Sequence, residues 1–208
     1  MIDYVVSKLK EGYNLGLVTD QGTPIISDPG YIVSRGVIEA GYNVISLPGA
    51  AAFVPALTSS GIEPSPFLFY GFLNNKNSKQ IEELKSLKDY PFTIIIYEAV
   101  HRIKNTLENM LDVLGDRKIC ICRELSKIHE EFTRGTISEI LPLVDEMKGE
   151  FVIVVEGNHD VNDYSNLDVY EHVKMYLDDM SEMDAIKKVA KERGVAKSVI
   201  YQEYHKRK

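Results

Sequence analysis

The chain has 208 residues, 44% of them hydrophobic and 26% charged, with a net charge of −7. That composition suits a folded protein with a substantial core, not a disordered or fibrous one. No apolar run reaches the ~18–20 residues of a membrane-spanning helix. The opening MIDYVVSKLKEG lacks a secretory signal's apolar core and cleavage site, so a cytoplasmic protein is expected.

In chain order, residues 2–11 read as a helix stopped by Gly12, followed by a strand NLGLVTD ending at Asp20. A loop rich in Gly and Pro leads to a helix over about 31–40. A strand YNVISL, the turn Pro48-Gly49 and a small-residue helix ending at Gly61 come next. Strand and helix alternate as in parallel sheets joined by crossover helices. Pro64 and Pro66 then break the pattern. Beyond them the reading is strand FLFYGF, a helix to about Tyr90, strand FTIIIYE, a helix over about 101–114, strand RKICICRE, a segment EEFTRGT, a helix over about 138–147, and strand EFVIVVEG. The polar stretch NHDVNDYSN reads as a linker, and residues 167–206 show helical spacing with Gly194 at a helix-turn-helix-like turn. Three segments are therefore expected: 1–63, 64–157 and 158–208.

The two cysteines, Cys120 and Cys122, alternate on one strand and face the same side, where they are poorly placed to bridge. They read as buried apolar thiols, because no further ligands stand at zinc spacing. Charge is unevenly placed. Residues 187–208 hold eight basic residues against Glu192 and Glu203, leaving 16 basic and 29 acidic residues elsewhere. A basic tail on an acidic body suits an RNA partner, although a solvated helix end reads the same way.

Chemistry is expected at the strand ends. The segment from Thr19 to Gly30 leaves a strand and opens a helix, where ligands of open α/β sheets bind. Gly22 permits close backbone approach and Pro24 stiffens the turn. It is neither a dinucleotide fingerprint nor a phosphate loop. A second loop, Leu47-Pro48-Gly49-Ala50-Ala51-Ala52, leaves room for a flat group, or equally for close helix packing. Further on, Tyr97-Glu98-Ala99-Val100-His101-Arg102 and Arg123-Glu124-Leu125-Ser126-Lys127, with Glu130, Glu131 and Arg134, crowd ionisable groups at strand ends. They read either as phosphate contacts with a proton-accepting carboxylate or as an ion-pair network.

Taken in order, TDQGTPIISDPG, LPGAAA, GFLNNK, YEAVHR, CRELSK, RGT and GEFVIVVEG resemble the ribosomal RNA small subunit methyltransferase I family of the tetrapyrrole methylase superfamily. The resemblance implies an α/β fold of two α/β domains plus a small C-terminal helical module. It implies S-adenosylmethionine in the cleft between the domains, 2′-O-methylation of a cytidine ribose in small-subunit ribosomal RNA, and a homodimer. Carried over by motif, Gly22, Thr23, Pro24, Ile26, Ala51, Ala52 and Tyr97 would hold the cofactor. Glu98 or Glu131 would be catalytic, and His101, Arg102, Arg123, Lys127 and Arg134 would face RNA. The family's opening strand and loop, resembling T-P-I-G-N-L and A-E-D-T-R, are not found, so the first domain is expected to be N-terminally incomplete, lacking a central strand and one cleft wall. Gln21 stands where the family usually has alanine, and GFLNNK lacks the proline commonly found after GFL. Two rivals remain at this point: a small-molecule tetrapyrrole methylase on the same fold, and a nucleic-acid-binding module without catalysis.

Overall fold

Alternating apolar side chains bury both faces of a sheet when helices lie on each side, and the middle of this chain does so. A computed structural model describes residues 1–159 and 167–207, which fall into two compact units, Met1–Gly157 and Asn158–Lys208. Most of the expected linker, residues 160–166, lies outside the described residues.

The first unit begins with helices α1 (Ile2–Lys10), α2 (Tyr31–Glu39) and α3 (Phe53–Ser60). Strand β1 (Phe67–Phe72), helix α4 (Asn77–Leu87), β2 (Thr93–Ala99), α5 (Ile103–Leu114), β3 (Lys118–Arg123) and β4 (Glu131–Thr136) come next. A short helix α6 (Ile137–Ile140) runs into a 3-10 turn (Leu141–Glu146) and then β5 (Glu150–Val155). The sheet order is β1-β2-β5-β3-β4; β1 and β2 are parallel, and β5 runs antiparallel to both β2 and β3. The C-terminal ends of β1, β2 and β3 therefore share one edge with the start of β4, which pairs antiparallel with β3.

Side-chain parity sorts the core. Ile94, Ile96, Ile119, Ile121, Phe151, Ile153 and Val155 face α4 and α5 in one cluster. Ile95, Cys120, Cys122, Val152 and Val154 face Ala56 and Leu57 of α3 in another. The two thiols lie 3.7 Å apart as free, buried cysteines. The neighbouring Cys120 sulfur and then burial push the Cys122 thiol far up, so it behaves as a small apolar group. Helix α6 starts with a capping box, in which Thr136 accepts from the Glu139 amide and Glu139 accepts from the Thr136 amide.

Two expected strands are not formed. NLGLVTD and YNVISL carry no strand hydrogen bonds, and Val18, Ile45 and Leu47 are largely exposed. Their sequences suit strands, but a strand exists through a neighbouring ladder, and no described segment supplies one. The correction runs the other way at EEFTRGT, which forms β4 by pairing with β3.

The second unit holds α7 (Val169–Lys174), α8 (Glu182–Glu192) and α9 (Lys197–His205). They pack through Val173, Ala185, Ile186, Val189, Ile200 and Tyr204. Ser181 caps α8 by accepting from the Asp184 amide, and Gly194 takes a left-handed turn between α8 and α9. Among these helices His172 is fully buried; its Nδ1 accepts from Arg193 and its Nε2 meets Glu192 at 3.0 Å. No described helix is long and apolar enough to cross a membrane.

Candidate active site

Two loops meet at the C-terminal edge of β1 and β2. In the first, Thr23 Oγ1 donates to the Ala50 carbonyl at 2.9 Å, which ties the Gly22-Thr23-Pro24 turn to the Pro48–Ala52 loop. The approach is close: a Cβ added to Gly49 would lie 3.1 Å from Thr23 Oγ1, and one on Gly22 would lie 3.4 Å from the Ala50 oxygen. Ile25 and Ser27 carry φ values of 77° and 59°. A β-branched residue rarely adopts such a φ, at a cost of ~1–3 kcal/mol, and such strain gathers at ligand sites. Ser27 reaches across to β1, where its Oγ would sit 3.2 Å from a Cβ at Gly71.

Tyr97 anchors the second loop. Its hydroxyl accepts from the Phe53 amide at 3.0 Å, at the start of α3 directly after Ala51 and Ala52. Burial raises the Tyr97 pKa; the Phe53 amide opposes that, and the Asp28 carboxylate adds to it. Phe69 and Phe72 lie edge-on to Tyr97 at 5.0 and 5.6 Å, and Phe53 stacks on Phe69 at 4.7 Å. The expected cofactor residues Gly22, Thr23, Pro24, Ile26, Ala51, Ala52 and Tyr97 thus belong to one constellation. Ile26 and Ala52 are exposed, and Thr23, Pro24 and Ala51 are half-buried.

The ionisable residues are placed differently from a simple row of RNA contacts. Glu98 has a side chain with no exposed surface. It accepts from the Ala99 amide at 2.8 Å and from Thr106 Oγ1 at 2.6 Å, and lies 3.3 Å from Arg102 Nε. Thr106 accepts from Gln80, whose oxygen accepts from Asn109. Arg102 in turn donates to the carbonyls of Leu73 and Asn74, locking the loop after β1. Both Glu98 carboxyl oxygens are thus engaged by donors of the fold itself.

Arg134 donates to the Ser59 and Ser60 carbonyls, capping the C-terminus of α3 where the helix dipole favours a cation. Arg123 binds Glu131 through Nε and Nη2, and Lys127 bridges Glu124 and Glu150. The Glu150 carboxylate holds the Lys127 pKa up, while the Glu150 amide, with Lys127, holds that of Glu124 down. Glu131 sits on β4, three strands from β2, or ~14 Å at normal strand spacing. His101 is exposed just beyond β2.

Sequence reasoning missed the support beneath this edge. Polar Thr106 and Asn109 stand among Ile103, Leu107 and Met110 on the buried face of α5, and a polar residue at a core position is the signal that points to them.

A family model described as Tetrapyrrole (Corrin/Porphyrin) Methylases matches residues 1–141. A Bacillus subtilis (strain 168) protein named Ribosomal RNA small subunit methyltransferase I is 45% identical over 210 residues, covering 97% of this chain and 72% of that one. The chain belongs to the ribosomal RNA small subunit methyltransferase I family. A Halalkalibacterium halodurans protein of the same name is 42% identical, with 97% and 72% covered. Among solved structures, the methyltransferase CobJ superposes with a TM-score of 0.59 at 16% identity, covering 76% of this chain and 70% of that one. Uroporphyrin-III C-methyl transferase from Thermus thermophilus, complexed with S-adenyl homocysteine, gives 0.52 at 14% identity, covering 74% and 70%. This ribosomal RNA small subunit methyltransferase I family member thus shares the tetrapyrrole-methylase fold.

Proposed function

We propose that the chain transfers a methyl group from S-adenosylmethionine to the ribose 2′-hydroxyl of a cytidine in small-subunit ribosomal RNA. The observation that carries this reading is the 45% identity over 97% of the chain to a protein named Ribosomal RNA small subunit methyltransferase I. The convergence of the Gly22-Thr23-Pro24 and Ala50-Ala51-Ala52 loops supports it. This constellation fits the cofactor: small residues, a strained turn and a fixed tyrosine border the same strand ends.

Gly22, Thr23, Pro24, Ile26, Ala51 and Ala52 are assigned to hold the cofactor, with Tyr97 fixing the second loop. The cofactor supplies a methyl on a sulfonium, already a good leaving group, so holding the hydroxyl in line carries most of the acceleration. Neither Glu98 nor Glu131 is assigned as the base. The first has its oxygens filled from within the fold, and the second lies three strands from Tyr97. The hydroxyl proton passes to solvent, and Glu98 acts through Arg102 on the loop after β1.

His101, Arg123 and Lys127 are assigned to RNA. The Lys127 pair with Glu150 is exposed enough to exchange carboxylate for phosphate at small cost, and Arg123, 24% exposed, would trade the exposed Glu131 carboxylate for a phosphate. Arg102 and Arg134 are reassigned to the protein's own carbonyls. Exposed Lys187, Lys191 and Lys206 of the second unit are assigned further phosphate contacts. A cytoplasmic homodimer belongs to the same proposal. The test is transfer from methyl-labelled S-adenosylmethionine to small ribosomal subunits, followed by nuclease digestion. The label is expected on a 2′-O-methylcytidine; label on a base, or none, overturns the assignment.

A further inference from the structure

Strand β1 spends a residue to aim one side chain. Phe67 and Phe69 face the α3 side of the sheet, and Leu68 and Tyr70 pack on the opposite core. Plain alternation would send Phe72 to the core with Tyr70. Instead the register with β2 slips between Phe69 and Gly71, so that Gly71 pairs with Ile96 and Phe72 with Tyr97. Gly71, at the slip, carries a φ of 82°, a conformation that favours glycine. The bulge returns Phe72 to the Tyr97 face, edge-on to that ring, with 52% of its surface exposed. A bulge that re-aims a half-exposed aromatic at a ligand-binding strand end is more than an incidental surface residue.

The loop after Phe72 is rigidly built and positively charged. The Leu73 and Asn74 carbonyls are held by Arg102, the Asn74 amide donates to Glu83, and the Lys76 amide donates to Asn74 Oδ1. Beyond this brace Lys76 and Lys79 are exposed, and neither forms an ion pair among the described residues. An exposed aromatic at the strand end, followed in the next loop and helix by two exposed lysines without ion pairs, matches a single-stranded nucleic acid, which offers a base to stack and a phosphate to pair.

Resting on the RNA methyltransferase reading above, we propose that Phe72 is the platform on which a base of the RNA substrate stacks, with Lys76 holding a flanking phosphate. Glu98 and Arg102 are then positioning residues for that platform.

The test uses the full chain with Phe72→Leu and Phe72→Trp. It reads S-adenosylmethionine binding by calorimetry, affinity for small ribosomal subunits, and KM and kcat for methyl transfer. Phe72→Leu keeps apolar bulk but loses the ring face. It is expected to weaken RNA affinity about tenfold to a hundredfold, appearing in KM, while cofactor affinity stays within about twofold. Phe72→Trp is expected within about threefold of the parent on every measure. Equal loss in both variants, no loss in either, or loss of cofactor binding with RNA binding intact each overturns the platform. The last result would assign the ring to the cofactor's adenine. A parent chain that binds cofactor but methylates no RNA instead overturns the underlying reading, independently of Phe72.

Discussion

Replacing Glu98 by glutamine removes a charge from a site where the side chain has no contact with water. The carboxylate now serves three donors: the Ala99 amide, Thr106 Oγ1 and Arg102 Nε. A glutamine of the same shape can keep its oxygen toward the Ala99 amide and Arg102, but it turns its NH2 toward Thr106 Oγ1, which then loses its acceptor. One charge-assisted hydrogen bond is lost, worth ~1.5–3 kcal/mol. Arg102 also loses its countercharge, although its 22% exposed side chain lets water recover part of that. The fully buried figure of ~3–5 kcal/mol is therefore not reached. Glu98→Gln should destabilise the fold by about 2–3 kcal/mol, lowering the melting temperature by roughly 4–12 °C. Methyl transfer should slow less than about tenfold, mainly through KM for RNA. Urea unfolding together with single-turnover transfer measures both. A general base would behave in the opposite way, losing a factor of ~10²–10⁴ in rate with its fold intact. An unfolding midpoint equal to the parent's, with transfer at least about a hundredfold slower, would refute the positioning role.

Gly71→Ala forces a Cβ into the positive-φ region, 3.2 Å from Ser27 Oγ. It should cost about 1–2 kcal/mol in urea unfolding and also weaken cofactor binding through the displaced loop; unchanged stability would show that the bulge carries no strain. In the second unit, burial and the Arg193 guanidinium depress the His172 pKa. The unfolded chain then takes up the proton first, so stability is complete above about pH 6.5 and falls as pH drops from there toward the lowered folded value. Hydrogen exchange of α8 amides, corrected for intrinsic rates, should show protection lost as pH falls below about 6.5. His172→Gln should flatten that slope, and an equal slope in the variant would assign it to another group.

How much of this was legible depended on how local each cause is. FTIIIYE, RKICICRE and EFVIVVEG announced β2, β3 and β5 because their apolar runs are bounded by turn residues. NLGLVTD carries a similar signal and forms no strand, since ladder partners are not encoded in the segment itself. EEFTRGT, polar and interrupted by Gly135, became β4 because the chain turns back onto β3. The glycine-proline loops were readable as a site from composition, while their mutual contact through Thr23 and Ala50 was not. For Glu98 the sequence shows an acid at a strand end. Whether it is a base or a clamp depends on Thr106, Gln80 and Asn109, which come from α4 and α5. Gly71 inside an otherwise apolar strand was a visible hint of a bulge, and the consequence for Phe72 comes from the pairing register.

The central claim is that the loops at the β1 and β2 edge bind S-adenosylmethionine and that RNA accepts its methyl group. Calorimetric titration of the chain with S-adenosylmethionine, and then with small-subunit ribosomal RNA, tests it most directly. Saturable one-site cofactor binding is expected, lost in a Thr23→Val, Tyr97→Phe double variant, together with RNA binding whose affinity falls steeply with salt. RNA binding with no detectable cofactor binding would contradict the claim and leave a nucleic-acid-binding module in its place.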